Sequence, residues 1–425
     1  MRLLKITTAM VLAAASLSAS SCGLVKNRPT DVNTIGRNDV IDATTPASSE
    51  TVTDTPESGE VRISFAAAGD NLIHDSVYTE AAARATALAA SGGYSGKYYF
   101  DSMYSDRIKS IVSGADVAFV NQEGPMVPDM PAAGYPAFNA PTEAGDALVN
   151  MGFDIVNLAN NHMLDMEGKC EGLRGTMNYW KSKNVLSVGA YESMEDYNTI
   201  RLLESKGKRI AVLSYTYGTN GNRLNAASSD LVIPLIDDST IIDQVSHARD
   251  CADAVIVSMH WGEENVMTQN DEQKRLAALL SKYGADVVIG HHSHTLQPME
   301  WVTGDSGKRT LVIYSLGNFI SSQLQSYNMV GGLASFELVF AEDGSLTVEN
   351  AKMNPTMTFY KADANVLDSQ GLPTRTAVSV GLLEDFTSDM CAEHGSQLYG
   401  AFTLDTLRGY VTSTIPSEFL PDFLK

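Results

Sequence analysis

The chain reads as an α/β protein, and three observations lead there. Short β-branched runs recur at residues 61–68, 115–120, 154–158, 210–215, 254–259, 285–289 and 311–314, each of a length suited to a buried strand. Helix-like stretches at 78–90, 144–151, 173–183, 241–251 and 272–283 fall between them, the alternation expected of a sheet covered by helices. Most of the strand-like runs also end in ligand-type residues, and in open α/β sheets ligands bind at the carboxyl edge of the strands. A length of 425 residues exceeds the usual single core, which implies one large domain with appendages or two domains.

The first 60 residues stand apart from this pattern. Arg2 and Lys5 precede an apolar segment at 6–17 and then small residues, the layout of a secretory signal and too short to span a bilayer comfortably. Ala19-Ser20-Ser21-Cys22-Gly23 is similar to a bacterial lipobox, in which Cys22 becomes the lipidated first residue. Ala19 stands where Leu is usual, so ordinary cleavage and secretion is the alternative. Residues 23–60 are rich in Ser, Thr, Asp, Asn and Pro and poor in large apolar side chains, a composition that predicts a flexible tether. The expected location is therefore the outer face of the cytoplasmic membrane, or the medium if Cys22 is not acylated.

Charge narrows the partners. Loss of the signal leaves 28 basic against 51 acidic side chains, a net charge of −23. Such a surface is a poor match for nucleic acid. It is equally unattractive to anionic lipid, so membrane attachment has to come from acyl chains.

Taken in order, the strand ends carry the chemistry. The first runs into Gly69-Asp70-Asn71-Leu72-Ile73-His74, the second into Asn121-Gln122-Glu123, and the third into Asn157-Leu158-Ala159-Asn160-Asn161-His162, followed by Asp165. The fifth ends in Ser258-Met259-His260-Trp261-Gly262-Glu263-Glu264. The sixth ends in Gly290-His291-His292-Ser293-His294, where three of the eight histidines fall within four positions. Here Gly290 reads as the start of a tight turn that releases the imidazoles at the strand end. Each residue has an ordinary explanation alone: Asp70 as a helix cap, Glu123 as a solvated loop residue, Asn160 and Asn161 as turn formers, His260 as a core histidine. Five such ends together favour a site. Carboxylate and carboxamide oxygens mixed with imidazole nitrogens suit two divalent ions, Mn, Fe or Zn, and a carboxylate between paired ions can bridge them.

Beyond the parallel pattern, runs at 332–340 and 345–353 flank Ala341-Glu342-Asp343-Gly344, a hairpin signal that adds antiparallel strands. Residues 61–360 form the expected main domain. Residues 361–425 read as a C-terminal helical extension, with a helix at 374–391 and no chemical motif.

The ordered set of motifs resembles the CapA, or poly-gamma-glutamate capsule synthesis, family, itself related to the calcineurin-like metallophosphoesterases. The pieces are Gly69-Asp70, Asn121-Gln122-Glu123, Leu158-Ala159-Asn160-Asn161-His162 with Asp165, His260-Trp261-Gly262-Glu263, Gly290-His291-His292-Ser293-His294 with Gln297, and Ser315-Leu316-Gly317-Asn318-Phe319. Gln122 replaces a usual Leu and Ser293 a usual Pro, and neither change removes a candidate ligand. The resemblance implies a metallophosphatase-like α/β/β/α sandwich, with mixed sheets flanked by helices. It also implies that Asp70 and His294 hold one ion and Asn161, His260 and His292 the other, with Glu123 bridging. His74 and His291 become further ligands or groups that support them. His162 becomes the general acid, oriented by Asp165, and Asn121, Asn160, Trp261, Glu263, Gln297 and Asn318 shape a substrate pocket.

Two functions follow. One is an exported, metal-dependent hydrolase with phosphoesterase-type chemistry, linked to capsule or poly-gamma-glutamate. The other is a non-catalytic protein that binds or anchors an anionic surface polymer in the same pocket. Capsule-synthesis membrane proteins are the partners the resemblance implies.

Overall fold

The computed structural model describes residues 59–425 except 167, 225–228, 306 and 369. The expected signal, Cys22 and nearly all of the tether therefore lie outside the described residues. In chain order the elements are β1 (Val61–Leu72), α1 (Asp75–Ala90), α2 (Asp106–Gly114), β2 (Val117–Glu123), α3 (Thr142–Met151), β3 (Ile155–Asn157), α4 (Lys169–Lys181), β4 (Leu186–Val188) and α5 (Met194–Asn198). Next come β5 (Leu202–Ser205), β6 (Lys208–Thr216), α6 (Asp238–Cys251), β7 (Ala254–His260), α7 (Asp271–Tyr283), β8 (Val287–His291), β9 (Met299–Thr303), β10 (Arg309–Ile313) and β11 (Asn318–Ile320). The chain ends with α8 (Ser326–Met329), β12 (Val330–Phe340), β13 (Leu346–Leu367), β14 (Pro373–Leu382), α9 (Ser388–Glu393) and α10 (Leu404–Thr414).

Two mixed sheets result. The first has the order β14-β13-β12-β1-β2-β3-β4, with β11 joining the end of β1; the second has the order β5-β6-β7-β8-β10-β9. The run β1 to β4 is parallel, and so is β6-β7-β8-β10, while β12 to β14, β5 and β9 add antiparallel neighbours. Strand alternation sorts the second sheet's side chains onto two faces. Ile210, Val212, Ile256, Val287, Ile289 and Ile313 join the first sheet's Ala66, Ala68, Phe119 and Val156 in one core. Leu213, Val255, Val257, Val288 and Val312 face the other way, against Ile241 and Val245 of α6 and Leu276 and Leu280 of α7. Val77, Ile108, Leu148 and Leu173 bring α1 to α4 onto the first sheet. The order helix, sheet, sheet, helix is the sandwich expected from the resemblance. It also explains why the parallel strands read as continuous apolar runs, since both their faces are covered.

Two local readings need correction. The expected helix at 374–391 is instead largely β14, paired antiparallel with β13 from Thr356↔Leu382 to Leu367↔Pro373, followed by a single 3-10 turn at Leu383–Asp385 and the start of α9. Thr374, Thr376, Val378 and Val380 are β-branched at every second position, a pattern that suits a pleated surface and crowds a helix. The region beyond residue 360 thus begins as a sheet edge, not as a helical extension, and β13 itself runs across that boundary. Gly290, in turn, does not open a tight turn: it lies inside β8. A Cβ there would stand 1.9 Å from the Tyr314 carbonyl oxygen, so the residue is required by close approach of two backbones. The turn begins two residues later, where His292 (φ 95°) and then His294 (φ 56°) adopt the left-handed conformation that non-glycine residues seldom take.

Candidate metal centre

The parallel strands of both sheets end at one place. From the first sheet β1 delivers Asp70, β2 delivers Asn121 and Glu123, and the loop after β3 delivers Asn161, His162 and Asp165. From the second, β7 delivers His260, and β8 with its turn delivers His291, His292 and His294. The chain then crosses back: β11 pairs with β1 at Asp70↔Asn318, which brings Asn318 against the cluster. Asp70, Asn121, Glu123, Asn161, His260, His291, His292, His294 and Asn318 are all buried.

One ligand atom each from Asp70, Glu123 and His260 lie within 4.8 Å of one another. Asn161 joins them, its Oδ1 accepting from His260 Nε2 at 2.9 Å. His294 stands between the carboxylates, with Nδ1 3.2 Å from Asp70 Oδ2 and Nε2 3.7 Å from Glu123 Oε1. His291 Nδ1 is 3.3 Å from Asp70 Oδ1, and its ring stacks on Phe119. The rings of His260 and His292 are 4.8 Å apart.

Several atoms of this cluster are buried without any hydrogen-bond partner: both oxygens of Glu123, Asp70 Oδ2, Nδ1 of His260 and of His292, and both ring nitrogens of His291. Unsatisfied buried polar atoms are rare and each costs on the order of 1–3 kcal/mol, more for charged groups. So many in one spot, with carboxylate oxygens and imidazole nitrogens converging, is a donor set that fits a metal ion.

Electrostatics agree. Burial pushes the Glu123 carboxyl well above the usual range. Burial also opposes ionisation of Asp70, but His291 and His294 beside it prevail and hold it well below that range. Burial lowers His260 strongly and His292 to about 3, so both are neutral as ligands must be. His294 is the exception: burial opposes its charge, yet Glu123 and Asp70 raise it to about 9. At pH 7 it therefore carries a proton that an ion would have to displace. Metal binding at pH 7 is expected to release protons, and apparent affinity to rise with pH until about 9. Calorimetry in two buffers of different ionisation enthalpy checks this, and equal heats in both would contradict it.

Beside the cluster, His162 Nδ1 donates to Asp165 Oδ2 at 2.6 Å, and the same oxygen accepts the Phe138 N–H at 3.0 Å. The edge of Phe138 meets the His162 ring. Nε2 makes no hydrogen bond within the described residues, which leaves it free to face a substrate. His74 lies against Phe138, and burial together with the charge of Arg375 holds it at about 3.

The structure separates the expected pocket residues from one another. Asn121 donates to Asp70 Oδ1 at 2.8 Å, and Asn318 Oδ1 meets His294 Nδ1 at 3.1 Å, so both orient ligands. Asn160 is used up inside the protein, accepting from the N–H groups of Gly124 and His162 and donating to Gln122 and Leu158 carbonyls. Trp261 packs on Tyr314 in the core behind the second sheet and donates to its carbonyl. Gln297 braces the loop at Val266 and Thr268. Glu263 and its neighbour Glu264 are both exposed, and neither makes a contact with the cluster.

The end of β6 carries no ligand-type motif in sequence, yet it contributes too. The half-exposed Tyr217 ring lies 4.5 Å from that of His292, and Asn220 Oδ1 accepts from Asn161 Nδ2 at 3.2 Å. The left-handed Asn220 before Gly221 was the available signal.

Fold and site together define an α/β/β/α protein with a buried carboxylate and imidazole cluster of the kind that holds metal. Residues 64–323 match the family model of the bacterial capsule synthesis protein PGA_cap, and the chain belongs to that family. It is 35% identical over 182 residues to the PGA biosynthesis protein CapA of Bacillus subtilis, covering 43% of this chain and 46% of that protein. It is 30% identical over 220 residues to the capsule biosynthesis protein CapA of Bacillus anthracis, covering 51% of each. The matches thus span about half the length of these curated relatives. A solved phosphatase from Mycoplasma pneumoniae superposes with a TM-score of 0.41 at 11% identity, over 69% of this chain and 93% of that one.

Proposed function

We propose that this protein is an exported, metal-dependent hydrolase with phosphoesterase-type chemistry, acting on capsule or poly-gamma-glutamate polymer or on a phosphate ester linked to its assembly. The observation that carries the reading is Glu123, a fully buried carboxylate with neither oxygen hydrogen-bonded, set between Asp70, His260 and His294. Such a group is costly to bury unless cations meet it. Asp70 and His294 are assigned to one divalent ion, Asn161, His260 and His292 to a second, and Glu123 to both. A pair of ions there, Mn, Fe or Zn, would supply Lewis acidity and a water acidic enough to attack near neutral pH.

The remaining work falls to the chain's own side chains. Asp165 accepts the Nδ1 proton of His162, so Nε2 is the nitrogen that gives a proton to the leaving oxygen. Phe138 and Asp165 keep that ring in one orientation. Tyr217 offers a half-exposed aromatic surface beside His292 on which a substrate can rest. The test is metal analysis of protein purified without chelator, paired with hydrolysis assays on generic phosphate esters. Metal with turnover supports the reading. Metal without turnover on any ester favours the binder of anionic surface polymer.

The location belongs to the same proposal: Cys22 is acylated and holds the protein on the outer face of the membrane, within reach of capsule-synthesis membrane proteins. Acyl chains contribute about 0.8 kcal/mol per buried methylene, and among the described residues no helix is long and apolar enough to cross a membrane. Cys22→Ala is expected to move the protein from the membrane fraction to the soluble one. Unchanged fractionation, or a mature amino terminus other than Cys22, would refute it.

A further inference from the structure

A chain of buried amides runs from the cluster into the second sheet. Asn121 donates from Nδ2 to Asp70 Oδ1 at 2.8 Å, and Asn157 donates from Nδ2 to Asn121 Oδ1 at 2.8 Å. The Ser214 hydroxyl of β6 donates to Asn157 Oδ1, which also accepts the Ala159 N–H at 3.1 Å. All four side chains are fully buried or within 1% of it. The direction of every amide follows from chemistry alone: an ionised Asp70 only accepts, so Asn121 must turn its NH₂ toward it, and Asn157 must do the same toward Asn121.

Space has been kept for this arrangement. Gly189 has φ 89°, and a Cβ there would lie 2.8 Å from Asn157 Oδ1 and 2.5 Å from the Ala159 nitrogen. At the cluster Asp70 Oδ1 accepts from Asn121, while Oδ2 accepts no geometrically formed hydrogen bond and faces only the candidate ligand His294, whose Nδ1 is 3.2 Å away.

We propose that Asn157 is a positioning residue of the metal centre: through Asn121 it turns Asp70 so that Oδ2 is presented to the ion, and through Ser214 it ties the sheet bearing the carboxylates to the sheet bearing the imidazoles. This rests on the metal-centre reading above. Groups that orient metal ligands in this way typically change affinity 10–100-fold when they are altered.

Asn157→Asp is the discriminating variant because it keeps the side chain's size and removes its donor. Its carboxylate cannot donate to Asn121 Oδ1, so the Asn121 amide turns over and sets an oxygen against Asp70. Manganese and zinc dissociation constants, from competition with a chelator, are expected to rise about 10–100-fold in Asn157→Asp and by less in Ser214→Ala. Thermal unfolding of the metal-free proteins is measured on the same samples, since a purely packing role predicts unchanged metal affinity in the isosteric variant. Wild-type affinity in Asn157→Asp, to within about twofold, overturns the relay and leaves the metal centre standing. A wild-type protein that binds neither metal overturns both. Should Asn157→Asp not fold, Ser214→Ala decides, and unchanged affinity there overturns the relay.

Discussion

His162→Ala is expected to lower phosphate-ester hydrolysis roughly 10²–10⁴-fold, the usual scale of general-acid catalysis, while metal content and folding stay as in the wild type. The separation is possible because His162 is not part of the ligand cluster. Its Nδ1 is committed to Asp165, and its neighbour Asn161 supplies the oxygen that meets His260. Asp165→Ala is expected to show a smaller loss of the same kind, since it orients the imidazole and touches no substrate. It also releases the Phe138 N–H, so some loosening of the Phe138 loop accompanies it. The informative comparison is His162→Ala against His260→Ala, scoring metal content, hydrolytic rate and polyglutamate binding together. A His162→Ala protein with its metal and its full rate would remove the acid role. If wild type and variant both bind metal and neither hydrolyses an ester, the polymer-binding reading takes its place, and His162→Ala should then weaken polymer binding only.

Glu123→Ala is expected to weaken both ions and abolish turnover, whereas His260→Ala mainly removes one. Glu123 is the one candidate ligand assigned to both ions, buried between Asp70, His260 and His294. Its loss should therefore exceed the 10–100-fold effect of altering a group that only orients a ligand. Metal per chain, measured after manganese, iron or zinc supplementation, reads the result directly. No more than trace metal in the wild type would sink the binuclear proposal. Equal loss in Glu123→Ala and His260→Ala would argue against a bridge.

Much of this centre is legible from residue types alone. Buried parallel strands are continuous apolar runs, and the first polar residue after each run is forced to the sheet's carboxyl edge. Asp70, Glu123, His260 and the histidines after Ile289 are therefore placed at one edge by the sequence alone. Side-chain direction was not legible in the same way. Trp261 and Glu263 lie one and three residues beyond His260, yet the first turns into the helix-side core and the second into solvent. Asn160 and Asn161 are adjacent and of one type, but one is consumed by backbone groups and the other meets His260.

Two further features depended on tertiary partners. The β-branched alternation of Thr374, Thr376, Val378 and Val380 suits a strand, and the edge of β13 supplies the partner that strand needs. Gly290 is required by the Tyr314 carbonyl 24 residues away in sequence, not by its own turn.

The amino-acid sequence by itself determined the α/β class, the strand ends and the chemical types gathered there, because burial and periodicity act over a few neighbouring residues. Only the tertiary structure decided which oxygen of Asp70 meets Asn121 and which meets His294, which asparagine meets His260, and that Ser214 reaches Asn157 from the other sheet. Those outcomes depend on distances of about 3 Å between residues tens of positions apart, and such distances exist only once the strands have paired and the two sheets have packed.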